Sequence, residues 1–323
     1  MPLSAQEKLV LQTVLLQARH SVDQIAEQLS IRSHTIRRIV ARLEAQKVLL
    51  GIRAYVNPYP LGLQVYQVFF SLPQASTEQH DKLIAQLCTL DGVGLLSELG
   101  GDPQYELHFF ARNSEDAVAL LDALQKTAPQ IELSGLSLVH EQYYSGALGY
   151  LKRNITDYKP LRYGNASELP GIDRIDHSLL CLLANESINS HRVIAQKLKL
   201  PESTVSYRVR GLEERGLIAG YYHLCDFKPL GLLPVVGLLQ TSVLGTATRA
   251  RLVTFCNRHP SIAYVDLMVG PISARVFVRA SSYEEARQVM CDLRETFSDT
   301  IKSIRIMPQL RFMRHSTYPF SAN

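Results

Sequence analysis

The residues with most chemistry to offer are cations set at helical spacing. His34, Arg37, Arg38 and Ala41 recur at intervals of three, four and seven, so a helix carries them on one side, with Arg42 alongside. Ile36, Val40 and Leu43 form the stripe expected to pack against the same domain. A guanidinium can donate two hydrogen bonds to a guanine edge, and further arginines hold phosphates. Such a face near a helix N-terminus, with Ser33 and Thr35 beside it, suits the major groove of DNA. For one helix alone, a solvated charged surface is the competing reading.

A second copy of the phrase weakens that competitor. "HTIRRIVARLEAQKVL" at residues 34–49 is echoed 169 positions later by "STVSYRVRGLEERGLI" at 203–218. At the same offset Ile25 meets Ile194, Leu43 meets Leu212, Gly51 meets Gly220, and "PLGL" at 60–63 meets "PLGL" at 229–232. A register held over that span indicates two whole lobes rather than a solenoid. The inward positions stay apolar while the outward ones change. His34, Arg37, Arg38 and Ala41 become Ser203, Ser206, Tyr207 and Arg210, with Thr204 and Arg208 completing the second candidate set.

These faces need elements to hold them. Lobe 1 opens with a capping box, "SAQE", before an apolar run; a second helix follows with Ser21 as N-cap, a third starts near Ser33, and "VLLGIRAYV" reads as a strand or wing. After "PLGL" the order becomes strand, helix, strand, strand, helix, strand, which is the ferredoxin-like split βαβ arrangement. Lobe 2 repeats both parts. The expected fold class is therefore α+β, two tandem lobes, each a winged helix-turn-helix followed by a βαββαβ domain. The boundaries predicted are 1–57 and 58–150 for lobe 1, a linker at 151–171 rich in turn formers, then 172–226 and 227–323. Tyr158, Leu161 and Tyr163 are sticky for a free linker and could pack on a neighbour.

Composition sets outer bounds. The chain has 323 residues, 46% hydrophobic and 20% charged, enough for more than one core. A net charge of +4 proves no nucleic-acid partner, so the distribution of charge decides. No secretory signal opens the chain, and "LGLLPVVGLL" is too short to span a bilayer, so a cytoplasmic protein without membrane contact is expected. Cys88, Cys181, Cys225, Cys256 and Cys291 are scattered, with no C-x-x-C, and fit neither a disulfide framework nor a zinc site. No hydrolase or phosphate-loop signature appears, and no metal or cofactor is implied.

From Ile194 to Leu232, "IAQKLKLPESTVSYRVRGLEERGLIAGYYHLCDFKPLGL" resembles the helix-turn-helix of the Lrp/AsnC family of transcriptional regulators, and "GIDRIDHSLLCLLAN" resembles that family's opening. Lobe 1 matches less tidily, with Lys47 where lobe 2 has Gly216. The resemblance implies double-stranded DNA as partner, RAM domains in the βαββαβ parts, self-association through them, and a covalent pseudo-dimer with its two sheets facing. It also implies an amino-acid or small-metabolite effector near the turn "LGGDPQYEL", placing Gly100, Gly101, Asp102 and Tyr105 as candidates; lobe 2 keeps Gly270 there but no Asp. Turn chemistry alone also accounts for Gly-Asp-Pro. On this reading the chain is a sequence-specific DNA-binding regulator and not an enzyme. The alternative is a tetrapyrrole enzyme of the sirohaem decarboxylase type, which shares the fold; His108, His140 and His259 lie on or near its strands, without a His-rich strand motif. A third reading, an interaction module that has lost DNA binding, is opposed by the arginines of lobe 1.

Overall fold

In the computed structural model, residues 3–72, 76–145, 160–164, 171–187, 190–242 and 244–322 are described. The first lobe runs α1 (Ala5–Leu16), α2 (Val22–Leu29), α3 (Ser33–Ala45), β1 (Leu49–Val56), β2 (Gln64–Ser71), α4 (Thr77–Thr89), β3 (Val93–Leu99), β4 (Tyr105–Ala111), α5 (Ser114–Thr127) and β5 (Glu132–Tyr144). After β6 (Leu161–Gly164) come α6 (Arg174–Asn185), α7 (His191–Leu198), α8 (Glu202–Glu214), β7 (Ile218–Cys225), β8 (Leu233–Thr241), α9 (Thr246–Arg258), β9 (Ile262–Val269), β10 (Ala274–Ala280), α10 (Tyr283–Thr296) and β11 (Ile301–His315). Every element from α6 onward begins 169 residues after its counterpart, from Arg174 against Ala5 to Ile301 against Glu132.

Local chemistry explains the starts. Ser4 with Glu7, and Ser21 with Gln24, form capping boxes that satisfy first-turn N–H groups of α1 and α2. In α3 the buried residues are Ile36, Ile39 and Leu43, and Val40 is only half-buried. The inward stripe is turned from the one predicted because α3 packs on α1, α2 and β1 at once.

The two βαββαβ units do more than face each other. Their strands join at both edges. β3 pairs with β11 and β5 pairs with β9, so the order β2-β4-β3-β11-β8-β10-β9-β5 returns to β2 through the β2–β5 pairing. All of these pairings are antiparallel. Closure leaves neither unit with a bare edge at the join. The strand after each third helix also crosses over. β1 pairs with β7 in a two-stranded ribbon, Arg53 opposite Tyr222, in place of a wing confined to its own head.

The core of each head is completed from the other lobe. Phe227, Leu230 and Leu232 pack with Val10, Leu11, Ile36 and Leu43 of head 1. Ala54, Val56 and Leu63 pack with Leu179, Val205 and Leu212 of head 2, and Tyr318 of the C-terminal tail joins them. These cores run across the boundaries expected at 57 and 226. Most of the expected linker, Tyr158 included, lies outside the described residues, but Leu161–Gly164 adds as β6 to β5 and buries Tyr163. All five cysteines are free thiols. No helix among the described residues is long and apolar enough to cross a membrane.

Candidate functional site

Helices α3 and α8 occupy the same place in the two heads, and their outer faces differ as the sequences do. On α3, His34, Arg37, Arg38 and Ala41 are exposed, while Ser33 and Thr35 are half-buried at its start. Arg37 lies 3.3 Å from Asp23, with both side chains mostly in water, which leaves it weakly held. Arg38 has no ion-pair partner among the described residues. Arg42 is differently placed, since it is ion-paired to Glu7 of the α1 capping box. Its charge ties α3 to α1.

On α8, Ser203, Tyr207 and Arg210 are exposed, Tyr207 by 77%. Thr204 is half-buried, and Ser206 Oγ sits 2.8 Å from His191 Nδ1 of α7. Arg208 does not belong with the outer face. It donates to Asp173 at 2.5 Å and to the buried Asp176 at 3.1 Å, and Arg215 reaches Asp176 at 3.3 Å. The backbone N–H of Asp176 and then Arg208 hold the Asp173 carboxyl below its usual range. Sequence could not separate the arginines committed within a head from those facing out, because their partners lie 35 residues away. The heads also touch: Arg19 pairs with Glu213 at 2.9 Å and lies over the Tyr221 ring.

The effector residues predicted at the β3–β4 turn, Gly100, Gly101, Asp102 and Tyr105, do not line the cavity described below. Asp102 accepts from Ser71 Oγ at 2.9 Å, and its carbonyl accepts from Arg305 at 3.2 Å. Gly100 and Gly101 abut Pro308 and Met307 of β11, and Tyr105 is buried with its hydroxyl 2.9 Å from His80. The turn seals the β3–β11 join.

A cavity of about 420 Å³ opens elsewhere, between the β1–β7 ribbon and the strands of the closed sheet. Tyr55, Tyr222 and His223 contribute from the ribbon; His108, Gln309 and His315 contribute from the sheet. Tyr55 donates to Gln142 at 2.6 Å, and the Tyr222 hydroxyl lies 2.7 Å from His315 Nδ1. Four lining side chains carry buried polar atoms without a hydrogen-bond partner among the described residues: His108 Nε2, His223 Nδ1, Arg279 Nη1 and Gln309 Nε2. Buried polar atoms are rarely left so, which marks the cavity as one shaped for polar occupants. Burial pushes His223 down to about 4 and His315 to about 3, with Arg53 and Arg275 adding to the latter. His108 is lowered too, by burial and then by Arg275. Of the three histidines weighed for a tetrapyrrole, His108 alone lines this space. Tyr55, Tyr222, His223 and His315 were not singled out from sequence, since they lie on three strands far apart in the chain, β1, β7 and β11. Among the described residues no cluster of three or more His, Cys, Asp or Glu is placed to hold a metal ion.

Comparison with known proteins follows the same division. Residues 172–219 match the winged helix-turn-helix DNA-binding family. LrpC of Bacillus subtilis, an HTH-type transcriptional regulator, is 31% identical over 113 residues, 35% of this chain and 77% of its own. An uncharacterised HTH-type transcriptional regulator of Pyrococcus horikoshii, PH1916, is 29% identical over 126 residues, 38% of this chain and 84% of its own. Among solved structures, the sirohaem decarboxylase NirDL superposes on 98% of this chain and 94% of its own, with a TM-score of 0.59 and 8% identity. That match corrects the expectation of a chain that is not an enzyme: a solved structure sharing its whole architecture is an enzyme's, so this fold is a catalyst's as well as a regulator's. At 8% identity the likeness is one of fold. Descent is carried by the sequence relatives, and by them the chain belongs to the Lrp/AsnC family of HTH-type transcriptional regulators.

Proposed function

We propose that the chain binds double-stranded DNA in the cytoplasm as a transcriptional regulator, through two unlike heads carried as one covalent pseudo-dimer after duplication of a single unit. One observation carries this reading: α3 and α8 both bury the equivalent positions Ile36/Val205 and Leu43/Leu212 while their exposed faces differ, cationic on α3 and Ser/Tyr/Arg on α8. Side chains kept for packing hold the helices, and those free to change read sequence. Neither helix has a side-chain N-cap, so first-turn N–H groups are open to a phosphate. An asymmetric operator follows, with head 1 supplying most of the salt-sensitive attraction. The chain's own upstream DNA, titrated by fluorescence anisotropy at two salt concentrations, tests this. Binding no stronger than to a random duplex would refute it.

The cavity supports ligand control of that binding better than the Asp102 turn does. Its roof is the ribbon that runs directly out of both third helices, so an occupant bears on the spacing of the heads. A second reading is favoured by the same cavity together with the whole-chain likeness to NirDL: chemistry on a tetrapyrrole, with His108, His223 and His315 facing the substrate. An absorption spectrum that shifts on adding sirohaem, and product lighter by carbon dioxide, would establish it.

A further inference from the structure

Glu106 and Arg275 are the second residues of β4 and β10, strands that begin 169 residues apart, so they stand at equivalent positions of the two lobes. Both side chains are fully buried. Arg275 Nε donates to Glu106 Oε2 and Nη2 to Oε1, each at 2.6 Å, which is a fork-to-fork pair. A second equivalent pair surrounds it. Ser97, fifth in β3, donates to Glu106 Oε1 at 2.6 Å, and Asp266, fifth in β9, accepts from Arg275 Nη1 at 3.1 Å. Gln67 donates to the free lone pairs of Glu106 at 3.2 Å, and Gln142 donates to Asp266.

The symmetry of this arrangement matters more than its strength. Two copies of lobe 1 paired the same way would set Glu106 against Glu106 with no guanidinium between them. Two copies of lobe 2 would set Arg275 against Arg275, each without the Glu106 fork and left with its own Asp266. Buried like charges without counter-ions are costly, whereas a buried pair of this kind adds little stability over well-packed apolar residues. Its effect is on discrimination between partners. Covalent linkage raises the local concentration of the unlike lobe but places no penalty on like-lobe pairing between two chains. We infer that Glu106–Arg275, with Ser97 and Asp266, is a pairing key: lobe 1 accepts lobe 2 and rejects a second lobe 1. Head 1 is thereby always presented beside head 2. The inference stands on the register of the two lobes, whatever the heads or the cavity bind.

The test uses the full chain with E106R and R275E. Each alone sets like charges against each other, and soluble yield should fall severalfold with an early urea midpoint. Co-expressed, the altered lobe 1 of E106R finds its complement in the altered lobe 2 of R275E, and the two untouched lobes pair as before. The expected result is recovery of yield and midpoint, with the two chains co-purifying one to one through a tag on either. The fourfold exchange S97D/E106R/D266S/R275E should recover most of the wild-type midpoint in a single chain. Single variants that match the wild type would overturn the inference. So would failure of both co-expression and the fourfold exchange to rescue, since the network would then act by position and not by complementarity.

Discussion

At the scale of single residues, the arginines sort by what already holds them. Arg37 and Arg38 face water, whereas Arg208 is bound to Asp173 and Asp176. R37A/R38A should therefore weaken DNA binding and reduce the salt slope by about 1–2, and should do so more than S206A/Y207A. Anisotropy titrations across salt read this out, and equal losses from the two double variants would sink the ranking. R208A should act on folding instead. It should lower the stability of head 2 by about 1–2 kcal/mol, by leaving Asp176 with Arg215 alone, as thermal unfolding would show. The cavity histidines make stability depend on pH. His223 stays neutral in the fold down to about 4, while the unfolded chain takes up its proton near the ordinary 6.5. The unfolded state thus binds more protons between those values, so the contribution is full above 6.5 and is lost as pH falls toward 4. H223Q should flatten the pH dependence of the unfolding free energy, measured by urea denaturation, by roughly 1 kcal/mol per pH unit in that window. A pH profile parallel to wild type would contradict the placement of this side chain. The outward place of Arg37 and Arg38 was legible in the helical spacing, but the commitments of Arg208 and His223 were not, since type and spacing name an arginine or histidine but not its partner.

At the scale of elements, the pattern was read well where local chemistry decides. The Ser4 and Ser21 caps, the three helices of each head and the βαββαβ order are all where periodicity and turn residues put them. The mismatch at Lys47 has a local meaning as well. Lys47 adopts φ +60° just after α3, where lobe 2 has Gly216 at φ +70°. A side chain is strained there and glycine is not. K47G should raise the stability of head 1 by about 0.5–1 kcal/mol, measured by urea denaturation, with DNA affinity unchanged. The missed element is β6. Four residues inside a stretch rich in Pro, Gly and charge form a strand because β5 runs past its neighbour β2 and offers residues 141–144 for pairing. Only the neighbour makes that strand.

At the scale of the whole molecule, two lobes that repeat in sequence are interlocked rather than set side by side. Their sheets close on each other at β3–β11 and β5–β9, each head borrows core residues from the other lobe, and the C-terminal tail is pinned into head 2. In that tail Thr317 accepts from Val56 N and donates to Ala54 O, and Tyr318 packs on His177. Y318A should cost roughly 3 kcal/mol by opening a void in that core, visible as an early melt of head 2. An unchanged melting curve would show that the tail does not hold the head. The sequence by itself determined the family, the repeat and its 169-residue register, the order of elements and the divergence of the two outer faces. Those depend on neighbours within a few residues, or on comparing one stretch with another. The tertiary structure decided which strand edges join, which arginines are spent inside a head, where a cavity opens and that Glu106 meets Arg275. Alternation along a strand says which face is buried but not which strand lies beside it, so contacts between residues 169 positions apart wait on the closed fold.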